Sequence, residues 1–293
     1  MTRLFLALLV FPGLLYAVPM GWLMLGSERK VVARLQGRVG PPLTQGFYDF
    51  VKLLAKAPVP RAETFLLTLL PILAVASTLG ALALLPVGAG GFTGDLIVFV
   101  GLLEMAPLCS VLAGFASRSV YGEVGATREA VLGISGNVPF LAALLALASA
   151  AGSLQLAAVA GGAPWVVRGP ALLALLACLP VKLRMNPFSV ANAEQEILAG
   201  PLTEMDGPRL ALWELAHALE WVVLAGLVAV LVVPGRGGAF VLVSFAVVPL
   251  LGTLAAATAR FKIDQAARFL WIWAVLAAVL AFFAAMAVRH GSL

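Results

Sequence analysis

Apolar residues in this chain fall in runs of about twenty, and a run of that length spans a hydrocarbon core of about 30 Å when helical. Such runs lie near 4–25, 65–86, 95–116, 131–151, 164–183, 210–233, 238–259 and 269–289. They predict an all-α integral membrane protein with about eight transmembrane helices, forming one membrane domain over 1–293. With 11% charged residues and a mean hydropathy of +1.05, the chain cannot build the polar shell of a soluble domain of 293 residues. The Arg29/Lys30 pair directly after the first run, and the length of that run, favour an uncleaved helix over a signal peptide.

The basic residues set an orientation. Arg29, Lys30, Arg34, Arg38, Lys52, Lys56 and Arg61 fall in the first inter-run segment, Arg118 and Arg128 in the third, Lys182, Arg184 and Arg209 in the fifth, and Arg260, Lys262 and Arg268 in the seventh. Only Arg3, Arg168, Arg236 and Arg289 remain for the other side. The positive-inside rule makes those four loops cytoplasmic and puts both termini outside. A pI of 9.6 is therefore read as membrane orientation and implies no nucleic acid. Acids share the cytoplasmic face, and a surface rich in both signs suits a docked protein better than anionic lipid alone.

Two absences in composition limit the chemistry. Cys109 and Cys178 stand alone in apolar runs, and His217 and His290 are too few to face one another across a haem, so this chain is expected to bind no cofactor itself. Three acids fall inside the expected spans: Glu104, Glu214 and Glu220. An ionised carboxylate there is costly and marks a functional pathway by default. Glu214, His217 and Glu220 recur at i, i+3 and i+6, which places them in one sector of a helix as a polar stripe able to exchange protons. The plainer alternative is that they only join helices by hydrogen bonds. Trp22, Trp165, Trp271 and Trp273 sit near run ends and read as interfacial anchors. Gly88, Gly90, Gly91 and Gly94 read as an outer loop with no phosphate-binding context.

Two long cytoplasmic segments carry most of the remaining information. The first, 28–63, contains ERKVVARLQGRVGPPLTQGFYDFVKLLAK at 28–56 and turns at Gly40-Pro41-Pro42 into a short amphipathic helix. Asp49, Lys52 and Lys56 mark one side of that helix, with Phe47, Phe50, Val51, Leu53 and Leu54 left for the other. The fifth, 184–209, brings Glu194, Glu196, Glu204 and Asp206 to an acidic vestibule ahead of the Glu214/His217/Glu220 stripe.

These residues resemble the signature loops of the complex I membrane subunit 1 family. The resemblance is carried by ERK…QxRxGP after the first run, by a GA-x-RE turn at Gly125, Ala126, Arg128 and Glu129, and by PF…AEQE…GxLTE at 187–204. The compact GPPLTQGFYDFVKLLAK is more similar to the membrane anchor subunit of energy-converting group 4 NiFe hydrogenases and formate hydrogenlyase than to quinone-reducing members. The chain departs from the family pattern at Ser189, Asn192, Ser135-Gly136-Asn137 and His217, positions where many relatives place acids. These departures raise the weight on Glu194, Glu196, Glu204, Glu214 and Glu220 among the proton-path candidates, which also include Glu104, Asp206 and His217.

The resemblance implies a non-catalytic subunit of a hydrogen-evolving respiratory complex in a prokaryotic inner membrane. A peripheral arm, its large and small hydrogenase subunits holding a NiFe centre and iron–sulfur clusters, would dock on Glu28, Arg29, Lys30, Arg34, Gln36, Arg38, Asp49, Lys52, Lys56, Arg128 and Glu129. Antiporter-like subunits would lie beside the chain in the bilayer and move protons or sodium. Two other readings remain open: the quinone-binding membrane subunit of an NADH-quinone oxidoreductase (complex I), and a stand-alone secondary transporter. No convincing internal repeat supports the latter.

Overall fold

A computed structural model describes residues 9–57, 59, 64–87, 94–234 and 237–291. Arg3, Arg61, Glu63, Arg236 and the glycines at 88, 90 and 91 lie outside the described residues, as does the side chain of Glu194. The chain folds as α1 (Leu14–Leu35), α2 (Gln45–Leu54), α3 (Thr64–Leu84), α4 (Leu96–Ala116), α5 (Val120–Ala151), α6 (Leu156–Gly162) and α7 (Trp165–Lys182). It continues through α8 (Glu194–Ile197), a 3-10 turn at Gly200–Leu202, α9 (Gly207–Val232), α10 (Gly237–Ala257), α11 (Ile263–Phe269), a π turn at Leu270–Ala274, and α12 (Val275–Arg289). Among the described residues, seven helices are long and apolar enough to cross a membrane: α3, α4, α5, α7, α9, α10 and the continuous α11–α12 unit. The first apolar run begins outside the described residues, and α1 carries it past its apolar end into the charged stretch that includes Glu28, Arg29, Lys30 and Arg34.

Helix α9 is the centre of the bundle. It is apolar on nearly all sides and almost wholly buried, as a helix enclosed by others must be. It packs against α1, α2, α3, α7 and α10, while α5, α7 and α12 form a second group on its flank. A Cβ on Gly21 would stand 2.4 Å from the Ala218 carbonyl oxygen, so only glycine allows α1 to approach α9 this closely.

Helix α5 differs most from the sequence reading. It begins at Val120, well before the apolar run at 131, so Gly125, Ala126, Arg128 and Glu129 lie in its early turns and do not form a turn of their own. Hydropathy averages over neighbours in sequence, and the small and charged residues at the start of α5 lower it there, although Gly122, Gly125, Ala126 and Glu129 give this largely exposed part of the helix one buried face. Gly125 faces Gly200 and Pro201 so closely that an added Cβ would lie 2.6 Å from the Gly200 Cα. Gly200 adopts φ +57, and a Cβ there would strike the Ala191 carbonyl. The 189–206 segment is thereby seated against α4 and α5.

Trp22 is also placed differently from its expected interfacial position. Its ring is buried, 5.4 Å from Phe47 and 5.1 Å from Phe50, and it anchors α2 to α1. Trp165, Trp271 and Trp273 are exposed on the bundle surface.

Candidate functional site

The stripe on α9 leads from a cleft into the core. Glu214 lines a cleft of about 90 Å³ with Arg29, Asp49 and Trp22, between α1, α2 and α9. His217, one turn deeper, is partly buried, and its Nδ1 lies 3.3 Å from Glu220 Oε2. The Glu220 side chain is only 3% exposed. Glu28, on α1, feels the His217 charge; burial pushes its carboxyl above the usual carboxylate range, against the opposing pull of Arg29 and His217.

Two basic residues expected as loop charges turn inward. Arg184 follows the end of α7 with φ 53, a left-handed conformation that costs a non-glycine residue about 1–2 kcal/mol. This turn points its guanidinium into the bundle, where Nε donates to Glu129 Oε1 at 2.8 Å and Nη1 to Glu220 Oε2 at 3.4 Å. Burial opposes the charge, yet Glu129 and Glu220 hold Arg184 protonated above its ordinary range. Ser110 completes this cluster, donating to Glu129 Oε2 at 3.0 Å. Glu129, expected on the docking surface, is thus a buried partner of Arg184.

Lys182, likewise expected in a loop, ends α7 as a buried side chain. Its ammonium donates to Glu104 Oε1 and, at 2.8 Å, to Asn137 Oδ1. Asn137 closes the triangle by donating its amide to Glu104 Oε2 at 2.7 Å. The Phe140 ring lies 4.3 Å from Nζ, adding a cation–π contact. Together the two clusters hold three carboxylates, Glu104, Glu129 and Glu220, against Lys182 and Arg184. The set is one positive charge short.

A cavity of about 330 Å³ lies beside both clusters. Apolar residues of α4 and α5 form most of its wall, and Glu104, Asn137, Lys182, Glu129 and Arg184 provide its polar side. Leu108 and Ile134 line it and are exposed, so it opens on the flank of the bundle.

The other expected path residues stand apart from these clusters. Glu196 is exposed and paired with Arg128 at 2.6 Å, which holds its carboxyl below the usual range. Asp206 accepts hydrogen bonds from the Val59 amide and from Arg209 Nη1, tying the loop before α3 to the start of α9. Glu204 is half-buried in the intervening turn. Of the expected docking residues, Arg29, Arg34, Gln36, Arg38, Lys52 and Lys56 are exposed, while Glu28, Lys30, Asp49 and Arg128 are half-buried. Lys182, Arg184 and Ser110 escaped the sequence reading. The available signal was a pair of cations directly at an apolar run's end, which is equally the mark of a cytoplasmic anchor.

Comparison with known proteins gives a consistent set of similarities. A sequence profile of the NADH dehydrogenase family matches residues 6–286. The chain is 35% identical to hydrogenase-4 component C of Escherichia coli over 224 residues, covering 72% of this chain and 70% of that one. It is 31% identical to formate hydrogenlyase subunit 4 of the same organism over 85% of this chain and 89% of that one. A subunit of the NADH-quinone oxidoreductase of Geobacillus kaustophilus is 29% identical over 88% of this chain and 87% of that one. A chain of the membrane-bound sulfane sulfur reductase, an archaeal respiratory membrane complex, superposes with a TM-score of 0.88 at 27% identity, covering 97% of this chain and all of that one.

Proposed function

The chain belongs to the NADH dehydrogenase family of membrane subunits, and from that premise we propose that it is the membrane-anchor and coupling subunit of a hydrogen-evolving respiratory complex. Its place is a prokaryotic inner membrane, with the charged 28–57 and 184–209 segments on the cytoplasmic side. Hydrogenase large and small subunits dock there and carry the NiFe centre and iron–sulfur clusters, and antiporter-like subunits flank the bundle. The names of the two Escherichia coli relatives support this reading.

The observation that carries the coupling role is the chain of ionisable groups that runs from the half-buried His217 through Glu220 and Arg184 to Glu129, with Glu214 one turn before His217 at the cleft. A subunit that merely anchored its partners would have no need of buried charge beyond what holds its helices together, because each ion taken from water carries a desolvation cost of several kcal/mol. A charge change in the docked arm alters the potential at Glu28 and Glu214, perturbs the contact between His217 and Glu220, and so changes the strength of the Arg184 bridge. A quinone-reducing role would need a site for the quinone: the cleft between α1, α2 and α9, at about 90 Å³, lies below the roughly 300–1,000 Å³ of ordinary ligand sites, whereas the lateral cavity of about 330 Å³ lies within that range.

The test is Glu220→Gln in the intact complex. Proton or sodium transport in proteoliposomes should be lost while dye-linked hydrogenase activity persists; full transport in that variant removes the coupling role. Nickel and subunit analysis of the gently solubilised native complex separates the hydrogenase assignment from a quinone-reducing one.

A further inference from the structure

The two ionic clusters meet at one place. A void of about 10 Å³ is lined by Leu103, Pro107, Lys182, Glu220 and Leu224. Its volume matches the roughly 10–15 Å³ that one water requires, and two of its five lining residues are ionisable. On one side stands Glu220, held by His217 and Arg184. On the other stands Lys182, held by Glu104 and Asn137. Glu104 and Lys182 also line the large cavity that opens on the flank of the bundle.

We propose that Lys182 is a proton-relay residue, linked to Glu220 by a single water in this void, and that it delivers protons to Glu104 at the wall of the lateral cavity. This rests on the coupling role proposed above and specifies its exit. Each cycle conserves protons and charge. The Lys182 ammonium gives one proton to the Glu104 carboxylate, leaving a neutral amine and a carboxylic acid, and Glu104 then gives that proton to a water in the cavity, which leaves as hydronium and restores the carboxylate. Glu220, protonated from the His217 side, then gives its proton to the water while the water gives another to the amine. One proton enters at Glu220, one leaves at Glu104, and all three groups return to their starting charge.

Lysine suits this role because burial readily lowers the cost of its neutral form, whereas a guanidinium is not deprotonated in proteins. Leu103→Phe leaves the Lys182 bridge to Glu104 and Asn137 in place, so a purely structural role for Lys182 would survive it. The phenyl ring of Phe140 and the apolar walls of the void leave the water no other ionisable group to serve among its lining residues.

The experiment uses the intact complex in proteoliposomes and reads protons moved per turnover, with three variants. Lys182→Arg keeps the charge but cannot release a proton, and should lower transport by more than about tenfold. Leu103→Phe leaves every ionisable group in place and fills the void, and should do the same. Transport at the wild-type level in either assembled variant overturns the relay, and Leu103→Phe decides the matter if Lys182→Arg does not assemble. Glu220→Gln separates this inference from its premise. Loss of transport in Glu220→Gln alone sinks only the Lys182 relay, whereas normal transport in all three sinks the coupling role as well.

Discussion

Arg184 Nε lies 2.8 Å from Glu129 Oε1, joining the turn after α7 to the early part of α5 inside the bundle. The same guanidinium reaches Glu220 on α9, so three elements share one buried cation. Removing it should leave two buried carboxylates without their partner. Arg184→Ala is expected to destabilise the solubilised protein by about 3–5 kcal/mol, read as a lower thermal midpoint. Restoring the cluster's net charge with Glu129→Gln in the same chain should recover part of that loss, and a double variant no better than the single one would contradict the pairing.

Trp22 connects the amphipathic α2 to α1 through Phe47 and Phe50. Trp22→Ala deletes a buried indole, at a cost of about 3–5 kcal/mol if the site does not collapse. The loss should be local. Protease cleavage within 45–54 is expected to accelerate while the spans stay protected, and unchanged cleavage would show that α2 is held by something else.

Glu196 and Arg128 tie the short α8 to α5 on the exposed face. Arg128 holds the Glu196 carboxyl below its ordinary value, so the pair's contribution is present above the unfolded carboxylate pKa and is lost as pH falls through the folded one. Protection of the 191–203 amides, taken relative to their intrinsic exchange at each pH, should therefore fall at acidic pH in the wild type. Glu196→Gln should show low protection throughout, with the pH step removed, and a step of undiminished size would assign it to another group.

Glu28 carries the opposite sign. Burial raises its carboxyl, so the ionised form is disfavoured in the folded protein, and stability falls as pH rises from the unfolded carboxylate pKa through the folded one. Glu28→Gln should raise the thermal midpoint relative to wild type at pH 8 and change it little at pH 4. The reverse pattern would mean that Arg29 and His217 outweigh burial.

Much of this architecture is legible from local pattern. The run at 164–183 corresponds to α7 at Trp165–Lys182, and the amphipathic signal in 45–56 corresponds to α2. The i, i+3, i+6 spacing brings His217 and Glu220 together because helical periodicity is a local property. The helical start of α5 is not legible in this way. Its one buried carboxylate, Glu129, is met by Arg184 far along the chain, and hydropathy averages only over neighbours in sequence.

The sequence by itself determined that the chain is a helical membrane protein with scarce, sided charge and a polar stripe on one helix. Only the tertiary structure decided which charges belong to the surface and which to the interior. A lysine or arginine at the end of an apolar run reads as a cytoplasmic anchor whatever lies across the bundle from it. Lys182 and Arg184 became core residues because Glu104 lies 78 positions and Glu129 lies 55 positions earlier in the chain, brought alongside by helix packing. Burial of Lys182 and Arg184 is tolerable because Glu104 and Glu129 meet them, and that meeting is a property of the fold.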